Sequence, residues 1–138
     1  MHRSVSDWRL LAGAALVQVL TACALRVMPL PSLRTLFARL RPLAHLLLAG
    51  SDARVIWAIE ATGRRLKGVS TCLVRAIVVD VRLSTPERPL RLTIGVKRPA
   101  AGAPLQAHAW VDDRDRILIG GSTAEEFVPM LAWDSVAA

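Results

Sequence analysis

At 138 residues, with 53% apolar residues and a net charge of +7, the chain is long enough for one small buried core and too apolar to be disordered. Arginines in every segment carry the charge, but there is no zinc spacing, no RNA-recognition signature and little aromatic–basic interleaving; this argues against nucleic acid and leaves an acidic peptide or a membrane surface as counterpart. Two cysteines make no disulfide framework, and His2, His45, His108, Cys23 and Cys72 lack ligand-pair spacing, so no metal or cofactor is expected and a reducing cytoplasm suits the free thiols.

The first element is an apolar helix between Arg9 and Arg26. Leu20-Thr21-Ala22-Cys23 has the look of a lipoprotein cleavage box, so a small envelope lipoprotein is one alternative reading. The sixteen residues between the two arginines are short for a spanning helix, and Ala24-Leu25-Arg26-Val27-Met28 continues the helical pattern beyond the box. A buried or interfacial helix is preferred, with peripheral membrane contact open to it. Pro29 and Pro31 break it, and Ser32 is read as the cap of a second helix to about Leu48, kinked at Pro42. Arg34, Arg39 and Arg41 charge that helix, and His45 among leucines reads as a core or boundary residue. Ser51-Asp52 starts a third helix through Ala61, and Arg64-Arg65-Leu66-Lys67-Gly68 is a basic connector.

Ser70 or Thr71 then caps a helix whose first turn holds Cys72, where first-turn N–H groups and the helix dipole favour an anionic sulphur. Ala76-Ile77-Val78-Val79-Asp80-Val81 has strand propensity, yet it also suits a helix buried on all sides. Pro86 to Pro89 is a turn, Leu90 to Val96 alternates as a half-buried strand, and Lys97 to Pro104 is a loop. Leu105-Gln106-Ala107-His108-Ala109-Trp110-Val111 is a second strand, leading to a polar tip at Asp112, Asp113 and Asp115. Thr123 is read as the cap of a last helix through Leu131, with Glu125 and Glu126 in its first turn. No repeat or low-complexity segment is present.

Cys72 on a helix and His108 on a strand, thirty-six positions later, form a candidate nucleophile and general base. Arg75, one turn beyond the cysteine, and Trp110, on the strand face of His108, are candidate substrate-binding residues; a local acid such as Asp80 and simple packing are their alternative uses.

Thr71-Cys72-Leu73-Val74-Arg75-Ala76, Leu92-Thr93-Ile94-Gly95-Val96 and Ala107-His108-Ala109-Trp110-Val111-Asp112, in that order, resemble the leader peptidase of lasso peptide biosynthesis. Arg54-Val55-Ile56-Trp57-Ala58 and Leu118-Ile119-Gly120-Gly121 extend the likeness. The resemblance implies an α+β, transglutaminase-like (papain-like) core in which a Cys-bearing central helix packs on a small antiparallel sheet behind N-terminal helices. It divides the chain into a helical region at 1–66 and a peptidase core at 67–138. It also implies removal of the leader from a ribosomally made lasso precursor, a separate leader-recognition protein, and an ATP-dependent lasso cyclase that acts afterwards.

The family's third residue is an aspartate about a dozen positions past the histidine, and here that register falls on Gly120, Gly121 or Ser122. Asp112 remains a candidate, although four residues of straight strand would separate it from His108 by about 13 Å. A backbone carbonyl, a water or a distant carboxylate could instead orient the imidazole. The missing aspartate supports another alternative, a non-catalytic scaffold that binds precursor or cyclase.

Overall fold

A computed structural model describes residues 3–98 and 100–134; His2, at the start of the chain, lies outside them. Helix α1 (Val5–Val27) begins at a capping box: Ser4 Oγ accepts from Asp7 N at 3.2 Å, and Asp7 Oδ2 accepts from Ser4 N at 3.0 Å. Its buried positions include Leu10, Leu11, Ala14 and Gln18, with Cys23 on the exposed side. Helix α2 (Leu30–Leu47) crosses α1 so closely that any side chain at Gly13 would strike the Leu47 carbonyl.

Ser32 does not cap α2. Pro29 occupies the cap position and Pro31 the first turn, where a fixed φ and a missing N–H cost the helix nothing. The helix continues through Pro42 to Leu47, and Arg41 Nη1 donates to the Ser84 carbonyl at 2.6 Å. Helix α3 (Asp52–Gly63) follows Ser51 as the pattern predicts.

Helix α4 (Cys72–Leu83) resolves the ambiguous stretch, and its environment explains the ambiguity. Val74, Ala76, Ile77, Val78, Val79, Val81 and Leu83 are all buried, because α1, α2 and α3 pack around one side and a sheet covers the other. A helix so enclosed takes apolar residues around most of its circumference, and the β-branched ones among them carry the strand propensity.

The sheet has the order β3-β2-β1-β4 and is antiparallel throughout: β1 (Arg91–Lys97), β2 (Gln106–Asp113), β3 (Arg116–Ile119) and β4 (Val128–Asp134). The expected helix from Thr123 to Leu131 is a short 3-10 turn (Gly121–Glu126) followed by β4. Local capping signals there lose to an open edge on β1, whose backbone groups β4 satisfies from Arg91 to Val96. Pro129 fits because β4 is itself an edge strand, and it sits where the pairing shifts between Ile94 and Gly95.

Arg88 ties the parts together, reaching Asp52 at the start of α3 and Asp113 near the hairpin tip. The division near residue 66 falls between α3 and α4, but one apolar core crosses it, joining Leu10, Ala14, Val55 and Ile59 to Ile77, Leu92, Ala109 and Val111.

Candidate active site

Cys72 is the first residue of α4, and Thr71 caps the helix: its Oγ1 accepts from Val74 N at 3.2 Å. Arg75 N donates to the Thr71 carbonyl at 3.1 Å. These two bonds occupy the amides of Val74 and Arg75 and leave those of Cys72 and Leu73 as the donors next to the sulphur. The thiol is free and half-buried.

Ser70 does different work from its neighbour. Its buried hydroxyl donates to Gln18 Oε1, while Gln18 Nε2 donates to the Ile59 carbonyl at 3.2 Å and to Thr62 Oγ1 at 2.6 Å. Thr62 Oγ1 donates onward to the Ala58 carbonyl at 2.7 Å. One fully buried amide thus pins α1, α3 and the segment leading into Cys72 to one another. Such a network is rigid because each member left unsatisfied in the core costs about 1–3 kcal/mol. It also bears on the lipoprotein reading: cleavage before Cys23 would remove Leu10, Leu11, Ala14 and Gln18 from the core.

His108 lies on β2 opposite Gly95. Its Nε2 is 2.7 Å from the Gly120 carbonyl, twelve residues on. A carbonyl oxygen can only accept, so Nε2 carries the proton and the neutral ring keeps its lone pair on Nδ1. The contact that an aspartate would be expected to make is made here by the backbone, at one of the positions to which that register falls. Gly120 adopts φ +80°, and a Cβ there would stand 2.6 Å from the Ala109 carbonyl. The turn that presents this carbonyl therefore requires glycine.

Two aromatic rings hold the imidazole. Trp110 stacks near it at 6.0 Å between centroids, and Phe127 lies tilted at 5.1 Å. Gly95 makes room for both: a Cβ would come within 2.9 Å of the Trp110 ring and 3.0 Å of Phe127. Gln18 and Phe127 also build the site, and no local pattern marks them as doing so. For the second the signal is distant, in the glycines at 95 and 120 that flank an aromatic strand.

Cross-strand partners share a face, so Leu92, Ile94, Ala109 and Val111 form one side of the sheet and Thr93, Gly95, His108 and Trp110 the other. The first side belongs to the core that contains α4. His108 therefore leaves β2 from the opposite face, and no hydrogen bond joins it to the Cys72 sulphur among the described residues. Leu90 N donates to Ser84 Oγ at 3.0 Å where α4 turns into β1, and β1 begins opposite Asp112. The C-terminal end of α4 thus adjoins the start of β1. Along the other edge of β2, β3 pairs only with Val111, Asp112 and Asp113, and beyond them Gly120 packs against the Ala109 carbonyl.

The remaining candidates separate clearly. Asp112 pairs across from Arg91, four residues from His108 on a strand in unbroken register with β1, and the structure does not bring it to the imidazole. Burial pushes its carboxyl above the ordinary aspartate range, while Arg91 pulls it down. Arg75 donates Nε to the Thr71 carbonyl at 3.4 Å, and its Cδ packs beside Gly63. Asp80, its alternative partner, is buried in a cavity of about 370 Å³ lined by Arg34, Arg39, Arg41, Ile77 and Trp133, to which neither Cys72 nor His108 contributes. His45 sits between Arg41 and Arg82, and burial followed by those two charges lowers its pKa.

Residues 9–132 match the transglutaminase-like superfamily. The chain belongs to that superfamily. The match begins within α1 and ends within β4, so the N-terminal helices are part of the family region rather than an addition to it. The α+β architecture, with helices before a four-stranded antiparallel sheet, is the transglutaminase-like fold. This superfamily includes cysteine peptidases and commonly has cysteine peptidase or transferase activity. No curated protein and no solved structure matches the chain significantly.

Proposed function

We propose that this protein is a cysteine peptidase that removes the leader from a ribosomally made lasso precursor. The observation that carries the reading is a free cysteine at the first position of a capped, network-anchored helix in a transglutaminase-like fold. The Cys72 thiolate attacks the carbonyl at the leader–core junction. The N–H groups of Cys72 and Leu73 receive the developing oxyanion. His108, carrying its proton on Nε2 against Gly120, uses Nδ1 to take the thiol proton and pass it to the leaving amine; the thioester is then hydrolysed by water. No hydrogen bond joins the His108 imidazole to the Cys72 sulphur among the described residues, so substrate binding includes a movement of His108. A separate recognition protein presents the leader, and an ATP-dependent cyclase closes the core peptide afterwards, in the cytoplasm.

The test is precursor cleavage read by intact mass, wild type beside Cys72→Ala, with and without the recognition protein. Wild type cleaves and the variant does not, and the recognition protein raises the rate. Equal cleavage by both removes Cys72 from the mechanism.

The face of the sheet that His108 occupies favours a second reading, a scaffold that binds precursor or cyclase without cutting. It is distinguished by retained precursor binding with no cleavage by either form.

A further inference from the structure

Between Trp8 and Ser51 the chain has no aspartate or glutamate and five arginines, at 9, 26, 34, 39 and 41. The same segment forms α1 and α2, whose outer sides are strongly apolar. Leu20 is 54% exposed, Leu40 40%, Leu43 46% and Leu46 75%, and Leu16 and Val19 on α1 are also exposed. Three of them are contiguous rather than scattered: Leu20 of α1 meets Leu40 and Leu43 of α2 at one shallow groove, floored by Val78 and Val81 of α4. An 18-residue stretch of α1 has mean hydropathy 1.9, yet only 39% of it is buried. A monomer in water rarely leaves so large an apolar surface open.

We infer that the outer face of α1 and α2 docks on an anionic membrane surface. Helical spacing from Arg9 places Leu16, Leu20, Cys23 and Val27 along one stripe of α1, with Arg26 at its far end. Arg39 lies one turn before Leu43 on α2 and is exposed. Apolar side chains with arginines at the margins, and no acid to repel phosphates, are what an interfacial surface requires: leucines enter the acyl boundary and guanidinium groups stay at headgroup level. The helix lies on the bilayer and does not cross it. Its inner side is committed to the protein through Gln18 and through the contact of Gly13 with Leu47. This inference stands apart from the peptidase reading, because the face contains neither Cys72 nor His108.

The experiment is flotation of the purified full chain with vesicles of phosphatidylcholine alone and of phosphatidylcholine mixed with phosphatidylglycerol, at low and high salt. The chain floats with the mixed vesicles, not with phosphatidylcholine alone, and salt weakens the binding. Arg26→Gln and Arg39→Gln each lower the bound fraction about five-fold. Leu43→Ser with Leu46→Ser removes binding while circular dichroism and Tm stay near wild type, since both side chains are exposed. Absence of flotation, equal flotation with both vesicles, or variants that bind as wild type overturn the inference. So does a lipid-free dimer, seen by light scattering, that the leucine variants disperse, because it would assign the face to a second copy of the chain.

Discussion

The thiol and the imidazole are held in contrasting ways. Cys72 sits on a helix enclosed by three others and by the sheet, and the segment before it is locked by the Gln18 amide to α1 and α3. His108 sits on a strand, held by one carbonyl from a left-handed glycine and by two aromatic rings. The two halves of the site therefore tolerate different disturbance. The cysteine's position depends on distributed burial, whereas the imidazole's depends on a few local contacts. Any movement needed for the pair to meet belongs to the histidine side.

Substitutions of the two reacting side chains cost the most activity. Cys72→Ala abolishes precursor cleavage, and His108→Ala lowers kcat by about 10²–10⁴-fold, while thermal unfolding shows both variants folded. Next comes the carbonyl that holds the imidazole. Gly120→Ala forces a side chain into a left-handed turn and against the Ala109 carbonyl; we expect kcat to fall about 10- to 100-fold, with a larger loss in kcat than in Tm. An unchanged kcat would show that the Gly120 contact does not orient the ring.

On the cysteine side the signature reverses. Gln18→Leu leaves Ser70 and Thr62 without their buried partner and costs about 1–3 kcal/mol by denaturant unfolding; activity falls chiefly through stability. A loss of activity with no change in the unfolding midpoint would contradict that assignment.

The smallest effect concerns Asp112. Burial, its largest influence, raises the carboxyl above the ordinary aspartate range. The folded state therefore holds that proton more tightly than the unfolded state does. Stability is greater below the unfolded pKa and is lost as pH rises through the folded value. Asp112→Asn should thus raise Tm slightly at pH 7 and leave it unchanged near pH 3, with cleavage unaffected. A large loss of cleavage would restore Asp112 to the catalytic set.

Much of this architecture was legible locally. Ser51 and Thr71 announce the starts of α3 and α4, and the alternation of Leu92, Ile94 and Val96 announces β1. The C-terminal strand was not legible, because Thr123 with Glu125 and Glu126 imitates a helix start and the competing force is a distant strand edge. Gln18 looked like one polar residue in an apolar helix; its partners lie 41, 44 and 52 positions away, beyond any local pattern. The site residues themselves could be named from type and spacing. The face that His108 occupies could not, because it depends on which side of the sheet α4 covers.

The central claim is that Cys72 and His108 act as a pair although the folded chain holds them on different layers. The most direct measurement is the rate of Cys72 alkylation by iodoacetamide against pH, in wild type and in His108→Ala, with Cys23→Ser in both so that one thiol reports. Wild type should react several-fold faster near neutral pH, and removing the imidazole should slow alkylation there. Superimposable profiles would contradict the pairing and leave His108 as a structural residue of the aromatic cluster.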